Sequence, residues 1–416
     1  MRFSPLVAAV SAALVVAALT GCTAPTPDAS ATPDASATAT STEAALIETT
    51  VQNFIATQPV RAAIVKVSRD GQTIFREAFG ESITGVPATP EMHFRNGAVA
   101  ISYVAMVLLQ LADEGVLHLD DRLSVWEPEI PHADEVTLLQ LAQMTSGIQD
   151  FVPNPAFVEG SYSDPYRMWT ADELIAFGAD QPLWFEPGTN WGYSHTGYVI
   201  LGKALEAATG TPLDQLIQQR ILDPLGLTGT HASLTGEIPE PALHAFTSER
   251  RPFFDITDGR VFTEESTYWN PSWTLPHGAV QTSTIDDLDT TIRAIGTGEL
   301  LSPEAHDAMT STELRGFGSP VDGCPSCFTQ IEPYTYGIGL VTSGDWILQN
   351  PLFSGYAAVA AYLADEDLSI SVAVTFLPEA FDAEGLYPNL ADSLFRELGG
   401  VLAAEQAPPT HHSTHH

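Results

Sequence analysis

The chain has 416 residues, 44% of them hydrophobic, which is enough for a large core in one or two lobes. Its net charge is −36, from 52 acidic and 16 basic residues, and Lys66 and Lys203 are its only lysines. Nucleic acid and anionic membrane surfaces would be repelled by such a chain, so neither is expected as a direct partner.

The first residues have the features of an export signal. Arg2 precedes an apolar run at residues 5–18, and Leu19-Thr20-Gly21-Cys22 follows. This ending resembles a bacterial lipobox, so residues 1–21 are predicted to be a lipoprotein signal peptide and Cys22 the lipid-modified residue. The apolar run is too short for a transmembrane span. We expect an exported protein, lipid-anchored at the outer side of a bacterial cell membrane. The alternative is an ordinary secretory signal in which the cysteine occurs by chance.

Residues 22–43 are predicted to be a disordered tether, because they are rich in Pro, Ala, Ser and Thr and contain TPDASA twice. The folded domain is expected over residues 44–403, with an opening helix at 42–56. Strands are predicted at 61–67 and 72–78, joined by a hairpin turn at Asp70-Gly71. Residues 404–416 follow as a disordered tail with four histidines, which could bind a transition metal weakly.

Residues 94–115 read FRNGAVAISYVAMVLLQLADEG, which is apolar on almost every side and predicts a buried helix that ends at Gly115. A second helix is predicted at residues 136–147. Near the C-terminus, antiparallel strands are predicted at residues 336–341, 346–348, 356–364 and 368–376. A closing helix is predicted at residues 384–398.

These segments resemble motifs of the serine β-lactamase and penicillin-binding protein superfamily, in particular its class C β-lactamase and D-alanyl-D-alanine carboxypeptidase branch. The longest match is WFEPGTNWGYSHTGYVILGKALEAATG at residues 184–210, and ILDPLGLTGT, WNPSW and GAVQTSTIDDL follow in the family's order. The resemblance covers residues 44–400. It implies an α+β fold, with an antiparallel sheet flanked by helices and a helical lobe, and serine hydrolase chemistry without a cofactor or metal.

In that family the long helix opens with Ser-x-x-Lys, and the lysine helps to deprotonate the nucleophilic serine. Here the two positions are Ala98 and Ile101. Neither lysine of the chain has a serine three residues before it, so the motif does not occur elsewhere. Ser102 lies on the same helix face as Ala98 but one turn deeper, without a lysine beside it. The other hydroxyl considered as a nucleophile is Ser194.

The family's second motif, Tyr-x-Asn, is Tyr193-Ser194-His195 in this chain. Tyr193 keeps the phenol that the resemblance implies as a general base. His195 replaces an asparagine with a larger side chain that titrates near neutral pH. Two interpretations are open: a histidine reused for acid–base chemistry or ligand contact, and a pocket residue hydrogen-bonded to a carbonyl group.

The third motif, Lys-Thr-Gly or His-x-Gly on a strand beside the site, corresponds to Gln349-Asn350-Pro351. No cation remains there to meet a substrate carboxylate, and Pro351 lacks a backbone donor. The residues expected to line the ligand cleft are therefore Ala98, Ser102, Tyr193, His195, Gln349 and Asn350.

Cys324 and Cys327, in DGCPSCF, are predicted to form a local disulfide, because export leads to an oxidising compartment. A redox pair or half of a metal site are the alternatives. The sequence contains no second cysteine pair and no redox-type context to favour them.

The coordinated loss of serine, lysine, amide and third motif predicts a catalytically inactive homologue. Such a protein would bind a peptide, a cell-wall fragment or a protein partner in the former active-site cleft. The alternative is an active hydrolase of the β-lactamase, carboxypeptidase or esterase type that uses an unconventional site.

Overall fold

The computed structural model describes residues 35–232, 235–256, 260–274 and 281–410. The predicted signal peptide, Cys22 and residues 23–34 of the tether lie outside these ranges, as do the four histidines of the tail. Within the described ranges, no helix combines the length and the apolar character needed to cross a bilayer.

The helices follow one another along the chain as α1 (Ala35–Thr57), α2 (Val99–Asp113), α3 (Leu138–Ala142), α4 (Pro155–Ser163), α5 (Ala171–Ala179), α6 (His195–Thr209), α7 (Leu213–Ile217), α8 (Asp223–Leu225), α9 (Ile285–Thr297), α10 (Pro303–Met309) and α11 (Leu390–Leu402).

The strands are β1 (Val60–Arg69), β2 (Gln72–Ile83), β3 (Val86–Pro87), β4 (Phe94–Arg95), β5 (His231–Ala232), β6 (Phe246–Thr247), β7 (Glu264–Glu265), β8 (Gln281–Ser283), β9 (Thr335–Tyr336), β10 (Val341–Ser343), β11 (Trp346–Gln349), β12 (Leu352–Phe353), β13 (Tyr356–Leu363) and β14 (Leu368–Phe376).

One antiparallel sheet forms the centre of the described structure, in the order β3-β2-β1-β14-β13-β11-β10-β9, with β12 paired to β13. Every residue of β13 and β14 is buried, because α1 and α11 pack on the sheet together and α9 packs against β1, β13 and β14. Burial on both faces explains why these strands are apolar almost throughout. The α+β fold predicted from the sequence is confirmed.

Both ends of the domain extend beyond their predicted limits. Helix α1 begins at Ala35, inside the predicted tether, because no proline interrupts the chain between Pro33 and Pro59. At the other end, residues 404–409 pack on the domain, and Trp346 Nε1 donates a hydrogen bond of 2.7 Å to the carbonyl of Gln406. The structure thus assigns helix to residues 35–43 and contacts with the domain to residues 404–409, which lie in the predicted tether and tail.

The predicted strand at 336–341 is instead the hairpin β9–β10. Gly337 N donates to Leu340 O at 2.9 Å, and Gly339 has a φ of +65°, which favours glycine. The closing helix also begins later than predicted, at Leu390, where the Asn389 side chain accepts a hydrogen bond from Asp392 N. The hairpin brings the carbonyl of Gly339 against helix α2.

Candidate functional site

Helix α2 begins where the helical lobe meets the sheet. Phe94 and Arg95 pair with β8, and Ala98 follows as the half-buried residue that precedes the first turn. Ile101 is 1% exposed and packs in the core of the domain. The two positions that would hold a nucleophile and its lysine therefore hold a methyl group and a buried apolar side chain.

Both lysines of the chain are held by carboxylates outside this site. Lys66 Nζ lies 2.9 Å from Asp286 Oδ1 and 3.5 Å from Asp289 Oδ2. Lys203 Nζ lies 2.6 Å from Asp172 Oδ1. No lysine amine is therefore available to activate a nucleophile at Ala98.

Ser102 and Gln349 do not line a cleft, contrary to the prediction. Ser102 has no exposed surface, and its Oγ donates a hydrogen bond of 2.6 Å to the carbonyl of Gly339. Gln349 is 4% exposed, and its Nε2 donates to the same carbonyl at 2.7 Å. Both side chains are directed inward because the β9–β10 hairpin presents a buried carbonyl that needs donors.

Asn350 is also used within the fold. Its Nδ2 lies 3.3 Å from Asp392 Oδ1, and its carbonyl accepts a hydrogen bond from Asn389 Nδ2. The next residue, Pro351, packs against Gly97, where an added Cβ would come within 2.6 Å of the proline Cβ. The segment of the third motif thus lies beside the start of α2, but it presents a proline ring there.

His195 is paired with a carboxylate that the sequence analysis missed. His195 Nδ1 lies 3.0 Å from Asp150 Oδ2, and Asp150 Oδ1 accepts hydrogen bonds from His195 N at 3.1 Å and Val152 N at 3.3 Å. Asp150 is 8% exposed. Of the two interpretations of His195, the structure shows a carboxylate partner and no carbonyl partner among the described residues.

Tyr193 lies directly beside this pair, with its ring centroid 5.0 Å from that of His195. Burial, with smaller contributions from Tyr334 and Asp150, raises the pKa of the Tyr193 phenol well above its usual value. The phenol is therefore a neutral hydroxyl. A tyrosine in this state can donate a hydrogen bond, but it is poorly suited to act as a general base.

The hydroxyl of Ser194, a possible nucleophile by sequence, caps helix α6. Ser194 is 2% exposed, and its Oγ accepts a hydrogen bond from Gly197 N at 3.2 Å. Ser102 and Ser194 are therefore both structural hydroxyls in the described part of the chain.

Trp273 is a further aromatic residue beside His195. Its ring lies 6.4 Å from that of His195 and stacks on Phe353 at 5.4 Å, so it joins the helical lobe to the sheet. Trp191 and Trp269 are buried at 1% and 5% exposure, and their rings pack against Phe328 and the Arg250 guanidinium, respectively. The sequence segment WNPSW indicated a family motif, but not which tryptophan would reach the site.

The predicted disulfide is confirmed, with Cys324 and Cys327 bonded at a Cα–Cα distance of 5.5 Å. An added Cβ at Gly192 would meet Cys327 Sγ at 2.8 Å, and Ser326 Oγ donates to the carbonyl of Tyr193 at 3.0 Å. The disulfide loop therefore packs on the backbone that carries Tyr193.

Of the surface cavities in the described part of the molecule, those of about 360 and 730 Å³ are not lined by Ala98, Tyr193 or His195. In the same ranges, no group of three or more His, Cys, Asp or Glu side chains is arranged to hold a metal ion. The titratable side chains that the structure brings together here are those of Tyr193, His195 and Asp150.

The family model described as "Beta-lactamase" matches residues 47–395 of this chain. Penicillin-binding protein 4 of Amycolatopsis lactamdurans is 36% identical over 166 residues, which are 38% of this chain and 40% of that protein. Esterase EstB of Burkholderia gladioli is 32% identical over 181 residues, 40% of this chain and 45% of that protein. The chain thus spans less than half the length of these relatives.

Solved structures show the same fold over most of the chain. D-amino acid amidase from Ochrobactrum anthropi SV3 superposes with a TM-score of 0.71 at 20% identity, and covers 88% of this chain and 99% of the amidase. A D-stereospecific amidohydrolase from Streptomyces sp. has a TM-score of 0.66 at 25% identity, with 80% and 94% covered.

Proposed function

This chain belongs to the β-lactamase family, and from that premise we propose that it binds a ligand in the family cleft without forming an acyl-enzyme. The ligand would be a peptide, a cell-wall fragment or a partner segment, and the protein would be exported and tethered to the outer side of a bacterial membrane. The observation that carries the proposal is the first motif, where Ala98 and Ile101 replace the nucleophile and its lysine.

Three further features support the loss of acyl transfer. Both lysines are paired elsewhere, Ser102 and Ser194 are buried structural hydroxyls, and Pro351 packs against the start of α2. A ligand surface nevertheless persists, because Tyr193, His195 and Trp273 are each half-buried and in ring contact. Such rings supply apolar contact area with polar atoms at their edges.

A fluorescent penicillin and a chromogenic cephalosporin test the absence of acyl transfer. We expect no covalent labelling and no turnover of the cephalosporin, with a Ser-x-x-Lys penicillin-binding protein as the positive control. Binding is tested by calorimetry with a peptidoglycan stem peptide, using Trp273→Ala as the matched variant. Stoichiometric covalent labelling of the wild-type protein by the fluorescent penicillin would contradict the proposed absence of acyl transfer.

A second function, hydrolysis without a serine, is favoured by one observation, the Asp150–His195 pair. His195 could take a proton from a water molecule whose oxygen attacks an ester or amide carbonyl, while Asp150 stabilises the protonated ring. The ring would then return the proton to the alcohol or amine that leaves as the ester or amide bond breaks. Relatives of this chain bear names that describe an esterase and a D-aminopeptidase. Turnover of a p-nitrophenyl ester that disappears in His195→Gln would support this function, and equal rates in both proteins would exclude it.

A further inference from the structure

The Asp150–His195 pair fixes the state of the imidazole ring. An ionised carboxylate can only accept hydrogen bonds, so Nδ1, 3.0 Å from Asp150 Oδ2, must carry the proton. In the neutral ring the lone pair then lies on Nε2. Nε2 makes no hydrogen bond to a described residue, and it is not one of the buried polar atoms that lack a partner. His195 therefore presents an acceptor to the cleft.

Tyr193 presents the complementary group. Its phenol is held in the neutral form by burial, its hydroxyl bonds to no described residue, and its ring touches that of His195. The Tyr193 hydroxyl is thus a hydrogen-bond donor and His195 Nε2 an acceptor, and the two groups are carried by neighbouring rings. Among the described residues, no lysine or arginine forms an ion pair or a cation–π contact with Tyr193, His195 or Asp150.

We propose that Tyr193 and His195 recognise an amide group of the ligand, with the Tyr193 hydroxyl donating to the amide oxygen and His195 Nε2 accepting its N–H. Asp150 is the positioning residue that makes Nε2 the acceptor. A primary amide fits this pair best, since it presents an oxygen and an N–H on the same side. The inference rests on the proposed function, because it names the ligand class of that cleft.

The pair discriminates against two close analogues of a primary amide. A carboxylate would place an oxygen lone pair against the lone pair of Nε2, and no cation compensates for its charge. An N,N-dimethyl amide lacks the N–H altogether and leaves Nε2 without a donor. Each analogue should therefore bind about tenfold more weakly than the primary amide, the difference expected for one lost hydrogen bond.

Asp150→Asn should reverse this preference. Oδ1 of residue 150 accepts two backbone N–H groups, from His195 and Val152, so the asparagine oxygen would remain there. Its NH₂ group would then face Nδ1 and force the proton onto Nε2. His195 would become a second donor beside Tyr193, and the site would favour the carboxylate over the amide.

The test uses D-phenylalaninamide, its N,N-dimethyl analogue and D-phenylalanine as probes, titrated at about pH 8, above the usual range of imidazole titration. Nitrogen-15 NMR of the His195 ring reports which nitrogen carries the proton and which probe contacts it. In the wild type we expect an unprotonated Nε2 and the tightest binding for the primary amide. In Asp150→Asn we expect a protonated Nε2 and tighter binding of D-phenylalanine than of D-phenylalaninamide. Tyr193→Phe should weaken the amide and the acid alike without reversing their order.

A protonated Nε2 in the wild type, equal binding of amide and acid, or an unchanged order in Asp150→Asn would each overturn the inference. So would the absence of any probe binding to the folded wild-type protein. In that last case, calorimetry with the stem peptide still decides whether the cleft binds a different ligand, so failure of the amide assignment and failure of the proposed function remain separate results.

Discussion

Rebuilding the first motif by Ala98→Ser with Ile101→Lys should destabilise the protein and restore little acylation. Ile101 is 1% exposed, so a lysine there would place an ammonium group in the core. Gly339 lies beside the Ile101 backbone, and its carbonyl already accepts hydrogen bonds from two donors, Ser102 and Gln349. An uncompensated buried charge costs about 3–5 kcal/mol, and we expect a loss of that size in the free energy of unfolding.

Urea unfolding and labelling with fluorescent penicillin measure the two effects. Ile101→Met is the matched control, because it keeps an apolar side chain of similar volume and should cost less than about 1.5 kcal/mol. Ala98→Ser alone should change stability by no more than about 0.5 kcal/mol, since Ala98 is half-buried and small. A double variant that is as stable as Ala98→Ser and is labelled within minutes would refute this reasoning.

Three further predictions concern stability. Burial raises the pKa of Glu249 to about 7 from the ordinary 4.5. Between these two values the folded protein keeps a proton that the unfolded chain has lost, so the free energy of unfolding falls as the pH rises from about 4.5 to about 7. Glu249→Gln should abolish this decline of up to about 3 kcal/mol, and equal slopes for both proteins would contradict it. Opening the ring between Cys324 and Cys327 with Cys324→Ser and Cys327→Ser should cost about 2 kcal/mol in chemical denaturation; no change in the midpoint would mean that the loop is held by its packing alone. Ser102→Ala should lower the free energy of unfolding by only about 1 kcal/mol, because the Gly339 carbonyl keeps Gln349 Nε2 as its second donor. A loss above about 3 kcal/mol would contradict this, because it exceeds the contribution of one such hydrogen bond.

The elements that local sequence determines were predicted well. Strand β14 covers residues 368–376 as expected, because an unbroken β-prone run lies between a turn and a proline. The Asp70-Gly71 hairpin is confirmed, with φ values of +51° and +69° at the two residues. The family resemblance located Ala98, Ile101, Tyr193 and His195 at one site, and the structure places Ala98 and Ile101 at the start of α2.

The pairings that depend on tertiary structure were not predicted. Asp150 and His195 are 45 residues apart, and their contact requires the loop after α3 to reach the start of α6. The directions of Ser102 and Gln349 depend on the Gly339 carbonyl, which reaches α2 only because the chain turns at residues 337–340. One signal was available: Asp150 closely follows the Thr-Ser-Gly ending of the predicted second helix.

Trp273 gives the protein a built-in optical probe. The emission of an indole depends on what surrounds it, and this indole touches His195 on one side and Phe353 on the other. The chain has seven tryptophans, but Trp273 is the one whose ring meets His195 in the described structure. A molecule that enters between these rings would therefore change the intrinsic fluorescence, and the difference between wild type and Trp273→Phe isolates that change without any attached dye.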